Sequence, residues 1–334
     1  MRLIQYRQLR PTPSRHVGAV EPDGGHVRSL EGVATMYDLV QMALRRGAPL
    51  EALVTQLASG PVVDYEALLS ENQVLAPLDH PEPARMFITG TGLTHTGSAA
   101  ARDKMHALGK AAGAPESDSI KMFRMGIEGG KPAAGKIGVM PEWFYKGTGE
   151  AVVPPGGALP LPGYALAGGE EPEIVGLYVI DAKGSPRRIG YALGNEYSDH
   201  TTEAQNYLYL ASSKLRACSF GPELLLSDLP ADIRGRSRVL RGGKPIWEDD
   251  VRLGEANMSH SMANLEHHHF KYPVFRRPGD LHAHYFGAAV LSSAAGVKAQ
   301  PGDEFEIEVP LFGKPLRNRL EAVKDEGLVM VRAL

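Results

Sequence analysis

The sequence predicts an α+β protein that is mostly β, with a small α/β unit at its N-terminus. Three observations carry that expectation. The 334 residues include 38 Gly and 25 Pro, a turn-rich composition that suits many short strands better than a helix bundle. From Arg85 onward short apolar runs alternate with Gly/Pro turns. Helical patterning is confined to one stretch near the start and one polar stretch late in the chain.

Taken in order, MRLIQYRQL, HVGAVEP and HVRSL read as a small sheet with DGG as a turn. GVATMYDLVQMALRRGAPLEALVTQLA then reads as two helices joined at Gly47-Ala48-Pro49. Residues 61–80 run toward PLDHPEP, which predicts a boundary between a unit over 1–80 and a second over 81–334. RMFITGTGL, KIGVMPEWFYKG, EIVGLYVI, RRIGYALGNEYS and ELLLSDLP follow as strand-like runs. EANMSHSMANLEHHHFKY is the polar helical stretch. Two more strand-like runs, each introduced by Pro-Gly-Asp, close the pattern.

Composition excludes several classes. With 36 basic against 39 acidic side chains, a net charge of −3 and no basic stripe, nothing favours a nucleic-acid or membrane partner. No uncharged apolar run is long enough to span a bilayer. The charged opening, MRLIQYRQLRPTPSRH, predicts no signal peptide. A single cysteine, Cys218, rules out an internal disulfide and fits a reducing cytoplasm.

Some motifs are weaker than they look. Residues 130–136, GKPAAGK, match seven places of a phosphate-binding loop, but Ile137 stands where a hydroxyl is required and Pro132 removes a backbone donor. A plain loop is expected. His267, His268 and His269 point about 100° apart on a helix and cannot meet one ion. His282 and His284 share one side of a strand, an arrangement open to zinc, although half-buried rings lining a polar pocket are the favoured reading.

The acidic residues say more. Glu171 and Glu173 precede the EIVGLYVI run and share a strand face, roughly 7 Å apart. Glu196 ends the next apolar run, Ser198 follows it, and Lys214 stands eighteen residues beyond Glu196. Three carboxylates at strand ends form a hard oxygen site suited to Mg²⁺, Mn²⁺ or Ca²⁺. A lysine beside them serves as counter-charge and proton handler.

This order of motifs resembles the fumarylacetoacetate hydrolase superfamily over roughly residues 85–325, and within it the GguC-like branch of sugar-acid catabolism. The matching residues are Glu171-Pro172-Glu173, Asn195-Glu196-Tyr197-Ser198, Lys214, Pro278-Gly279-Asp280, Pro301-Gly302-Asp303, the FGKPLRN stretch ending at Asn318, and EWFYKG with Lys146. The resemblance implies a mixed β-roll core, a homodimer, a Mg²⁺ ion on Glu171, Glu173 and Glu196, and Lys214 as substrate and enolate contact. It also departs from the family. Glu196 stands where Asp is usual. His95 is kept, but Gly92 and Ser98 replace the Tyr and Glu of the hydrolase motif, and His284-Tyr285-Phe286 replaces Thr-Gly-Thr.

Loss of the glutamate weakens a water-activating base and leaves the enolate-forming part of the site whole. The expectation is therefore a metal-dependent dehydratase of a 2-keto-3-deoxy sugar acid, most plainly a 2-keto-3-deoxypentonate giving 2,5-dioxopentanoate. Lys214 and His95 are the catalytic candidates. Lys146, Arg124, Ser198 and His284 are the candidates for binding substrate. C–C hydrolysis of an acylpyruvate or 2,4-diketo acid on the same metal is the alternative; a non-catalytic sugar-acid binder is a third reading.

Overall fold

A computed structural model of the chain describes every residue except 10–11, 96–116 and 326; Ser98 lies outside the described residues. Strands hold 35% of the residues and helices 25%, so the mostly β expectation stands. The order opens with β1 (Arg2–Gln8), β2 (Ser14–Val20), β3 (His26–Ser29), α1 (Met36–Arg46), α2 (Leu50–Leu57), β4 (Val62–Asp64), α3 (Tyr65–Ser70) and β5 (Val74–Leu75). Next come β6 (Met86–Gly92), α4 (Asp118–Gly129), β7 (Glu142–Thr148), β8 (Val152–Val153), β9 (Ala158–Pro162), β10 (Pro172–Ile180) and β11 (Pro186–Asn195). The rest are α5 (His200–Gln205), α6 (Leu210–Lys214), β12 (Cys218–Phe220), β13 (Leu224–Leu225), β14 (Ile233–Arg241), β15 (Lys244–Leu253), α7 (Met262–Phe270), β16 (Leu281–Tyr285), β17 (Glu304–Glu308) and β18 (Leu316–Val323).

Local chemistry explains the first helix. Thr35 caps α1 by accepting from Asp38 N, and Gly47 ends it in the left-handed region at φ 61°. Its buried residues Met36, Leu39, Val40 and Ala43 recur at helical spacing and face the sheet.

Two mixed sheets form the body. One runs β4-β3-β2-β1-β13-β11-β10-β16-β6-β7, with β5, β8 and β12 attached at its side; the other runs β15-β14-β17-β18-β9. Most pairs are antiparallel, while β16 and β6, β12 and β8, and β18 and β9 are parallel. The N-terminal strands join the first sheet through Leu3 opposite Leu224.

Strand β10 is buried over its whole length, which is why it reads as a continuous apolar run rather than an alternating one. Val175, Leu177 and Val179 pack into one core with Met36, Leu39 and Leu281. Ile174, Tyr178 and Ile180 pack into another with Leu265 and Ile307. Gly176 is required between them, because a Cβ there would lie 2.2 Å from the Tyr178 hydroxyl. That hydroxyl donates to Glu266 at 2.7 Å.

Candidate metal centre

The open end of the β10–β11 hairpin builds the site. Pro172 lies opposite Asn195 and Glu173 opposite Gly194, so the residues just outside the pair, Glu171 and Glu196, stand side by side. Glu196 N donates to Glu171 O at 3.0 Å. Asn195 Oδ1 accepts from Glu171 N and from Tyr197 N, each at 3.2 Å, which locks both acids to one strand end. Glu171, Glu173 and Glu196 are all buried, and each offers an oxygen within 4.8 Å of the others.

Two ammonium groups face these three carboxylates. Lys214, at the end of α6, donates to both Glu171 Oε1 and Glu196 Oε2 and lies 4.7 Å from the centre of the Phe144 ring. Lys146, on β7, donates to Glu196 Oε1 at 2.6 Å, to Tyr197 O at 2.6 Å and to Lys214 O at 3.1 Å. Ser198 Oγ lies 3.2 Å from each Glu196 oxygen.

Burial works to raise the Glu171 carboxyl, but Lys214 and His200 outweigh it and hold it well below its ordinary value. Glu173 goes the other way: burial, then the charges of Glu196 and Glu171, push it well above. Glu196 is also raised by burial, against the pull of Lys146 and Lys214. Glu173 Oε2 accepts from Gly287 N at 2.7 Å. Its Oε1 is buried with no hydrogen-bond partner among the described residues. A buried carboxylate oxygen left unpaired is costly, and an all-oxygen donor set is what a hard divalent cation takes. The residues present therefore fit such an ion.

The remaining candidates divide. His95 is buried, its Nδ1 is 2.9 Å from Thr94 Oγ1, and burial, with Lys131, pushes its pKa down to about 4. The Thr94–His95 segment reaches the acids through Gly287, where a Cβ would lie 1.9 Å from Thr94 Oγ1. Lys146 and Ser198, the expected substrate contacts, both sit at the acids and bond Glu196. All three Lys146 donors are directed to Glu196 and two carbonyls, and the Ser198 hydroxyl is engaged with Glu196.

Arg124 is exposed on α4, 4.0 Å from Glu128, and no described contact brings it to the acids. His284 lies opposite Gly176 on β16, and cross-strand partners share a face. It is therefore on the side of Ile174 and Tyr178, away from Glu171 and Glu173. Nor are His282 and His284 half-buried: both are fully buried. His284 stacks on His269 at 4.6 Å, His269 Nε2 lies 3.0 Å from His282 Nδ1, and burial pushes both strand histidines down to about 3. Neutral, stacked rings facing one another are core packing.

Sequence reasoning missed two residues here. His200, directly after α5's cap Asp199, reaches Glu171 Oε1 at 3.0 Å. Glu142 accepts from Tyr207 at 3.0 Å and shares the buried face of β7 with Phe144 and Lys146. Both signals were present: His200 ends the NEYSDH run, and positions 142, 144 and 146 alternate onto one face.

No family model matches the chain. It is 28% identical over 205 residues to the 2-dehydro-3-deoxy-D-arabinonate dehydratase of Saccharolobus solfataricus, covering 58% of this chain and 60% of that protein. It is 31% identical over 120 residues to a probable 2-keto-3-deoxyxylonate dehydratase of Haloferax volcanii, covering 34% and 40%. The matches thus span less than two thirds of either relative's length. Among solved structures, a 2-keto-3-deoxy-D-arabinonate dehydratase complexed with magnesium and 2,5-dioxopentanoate superposes with a TM-score of 0.69 at 18% identity, over 97% of this chain and 100% of that one. The 5-carboxymethyl-2-hydroxymuconate delta-isomerase of Mycobacterium smegmatis does so with a TM-score of 0.57 at 16% identity, over the same shares. At these identities the structural likeness establishes the fold.

Proposed function

We propose that this chain, whose fold is that of the fumarylacetoacetate hydrolase superfamily, is a divalent-metal-dependent dehydratase of a 2-keto-3-deoxy sugar acid. The observation that carries the reading is the buried set Glu171, Glu173 and Glu196, with Glu173 Oε1 unpaired and Lys214 beside it. The two relatives bearing dehydratase names support the substrate class. Magnesium is the proposed ion, with Mn²⁺ or Ca²⁺ as substitutes. When bound, such an ion supplies Lewis acidity that lowers the cost of negative charge on a 2-oxo oxygen. Charge balance fits: three carboxylates against two ammonium groups leave one negative charge, so a divalent ion leaves one positive charge for a substrate carboxylate.

Lys214, an ammonium in the ion-free site, is proposed to shed its own proton as ion and substrate bind, to take the C3 proton as the neutral amine, and, as the ammonium formed again, to balance enolate charge. The C4 hydroxyl takes that proton from the Lys214 ammonium and leaves as water, and a C3–C4 double bond forms. For a pentonate, removal of a C5 proton, return of a proton to C3 and tautomerisation at C4 give 2,5-dioxopentanoate, the net change being loss of one water. His95, held neutral, is suited to hydrogen-bond the departing hydroxyl rather than to store a proton. Lys146 and Ser198 hold Glu196 in place.

A homodimer and a cytoplasmic setting are proposed with the same reading, as is the division into units 1–80 and 81–334. Among the described residues, no helix is long and apolar enough to cross a membrane. The decisive experiment incubates the protein with 2-keto-3-deoxy acids and with acylpyruvates, in Mg²⁺ and in chelator, and identifies the products. Formation of 2,5-dioxopentanoate that stops on chelation and in Glu171→Gln supports the proposal. Pyruvate from an acylpyruvate, or full activity in chelator, overturns it.

A further inference from the structure

We infer that His200, clamped by Ser293, is a positioning residue that sets the Glu171 carboxylate for its ion; the inference rests on the metal reading above. The ring is buried between two partners. Its Nε2 lies 3.0 Å from Glu171 Oε1, and its Nδ1 lies 3.1 Å from Ser293 Oγ. A carboxylate only accepts, so Nε2 carries the proton, and Nδ1 is left to accept from the serine hydroxyl. Glu171 Oε1 is thereby shared between His200 and Lys214, and neither bond uses Oε2. With one oxygen tied down, the plane of the carboxylate is set before any ion arrives, which is how outer residues tune a metal ligand.

The surroundings are built to hold this ring. Gly169 faces it, and a Cβ there would fall 2.6 Å from Nδ1 and 2.9 Å from Cε1. Gly169 and Ser198 exchange two backbone hydrogen bonds of 3.0 Å, so the glycine backbone cannot back away. On the chain side, Asp199 caps α5 by accepting from Thr202 N at 3.0 Å, and it also accepts from Leu166 N at 2.9 Å and Arg216 at 3.1 Å. That pins the backbone of His200.

The ring also borders open space. A cavity of about 370 Å³ lies there, lined by His200, Gly168, Ser292, Ser293 and Lys298 among others. Ser293 lines the same cavity, and its hydroxyl bonds Nδ1 from that side, which helps hold Nε2 on Glu171.

The test is calorimetric titration of the substrate-free protein with Mg²⁺ and with Mn²⁺, for the parent, His200→Ala, His200→Gln and Ser293→Ala. Loss of an outer hydrogen bond to a metal ligand weakens ion affinity by about 10- to 100-fold, and His200→Ala is expected in that range. His200→Gln, whose amide can still donate to Glu171, should recover part of it, and Ser293→Ala should lose several-fold with the fold intact by circular dichroism. Ion affinity of His200→Ala within about twofold of a parent that does bind overturns this inference alone. Should His200→Ala not fold, unchanged affinity in Ser293→Ala overturns it equally. A parent protein that binds neither ion overturns the metal reading itself, and the inference with it.

Discussion

Glu173→Gln should stabilise the metal-free protein while removing its response to magnesium. The substitution keeps shape and keeps an acceptor for Gly287 N, but deletes one of three negative charges. The ligand oxygens lie within 4.8 Å of one another, and at an effective dielectric of about 20 a like-charged pair at that distance costs about 3.5 kcal/mol. Lys214 offsets part of that repulsion, and the raised pKa of Glu173, caused by burial and its two acidic neighbours, lets protonation shed more. The expected net gain without metal is therefore about 1 to 2 kcal/mol, or roughly 1 to 3 °C in Tm for a chain of this length.

In magnesium the order should reverse. At a hundredfold excess over its Kd an ion stabilises the parent by about 2.7 kcal/mol, while a site with two acids left gains little. Thermal unfolding of both proteins in chelator and in excess Mg²⁺ reads both effects. A variant that is less stable than the parent in chelator, yet shifts equally with Mg²⁺, would refute the claim that these acids are assembled for a cation.

Two further predictions test the surroundings. Lys146→Met strips Glu196 of its 2.6 Å partner and leaves a buried carboxylate short of a counter-charge; breaking such a pair costs about 3 to 5 kcal/mol, readable as a lower urea midpoint. A change under about 1 kcal/mol would show that Lys214 alone suffices. Acid should weaken the fold before the exposed carboxylates titrate, because the buried histidines outnumber the raised acid Glu173, which acts in the opposite sense. His95 and His260 are pushed down to about 4, His282 and His284 to about 3, and His269 well below its ordinary value, all chiefly by burial. The unfolded chain takes up these protons near pH 6.5 while the folded one refuses them, so stability is present above that pH and falls below it, by up to about 1.4 kcal/mol per pH unit for each ring. Denaturant midpoints that stay level from pH 7 to about pH 5 would contradict this.

Much of the body was readable along the chain. Strands β1, β3, β6, β16 and β17 fall within runs the pattern marks, and β2, β10 and β11 begin just ahead of theirs, because turn residues bound them and apolar residues fill them. The hairpin of β14 and β15 was not anticipated, although Arg241-Gly242-Gly243-Lys244 is a turn signal with φ of 58° and 76° at the two glycines. Its strands are dense in Arg, Asp and Glu, whose pairing, such as Arg238 with Glu248 and Glu306, lies across strands and leaves no apolar alternation to see. The helix over EANMSHSMANLEHHHFKY is shorter than its pattern, Met262–Phe270, since Ser261 caps it and the residues before it turn back toward Thr94.

For the site, the order of the three acids and Lys214 along the chain pointed to a hard cation, because such an ion needs clustered oxygens, and the fold does bring an oxygen of each acid within 4.8 Å of the others. Which neighbours serve those acids was decided in three dimensions. His284 is two residues from His282 in sequence and shares its face, yet pleating puts both on the opposite side of the sheet from the carboxylates. Lys146 and His200 arrive from other elements, and only chain packing reveals that one neutralises Glu196 while the other grips Glu171. Alternation along a strand is a local property, legible in one dimension; the side of a sheet that faces a given charge depends on every strand laid beside it.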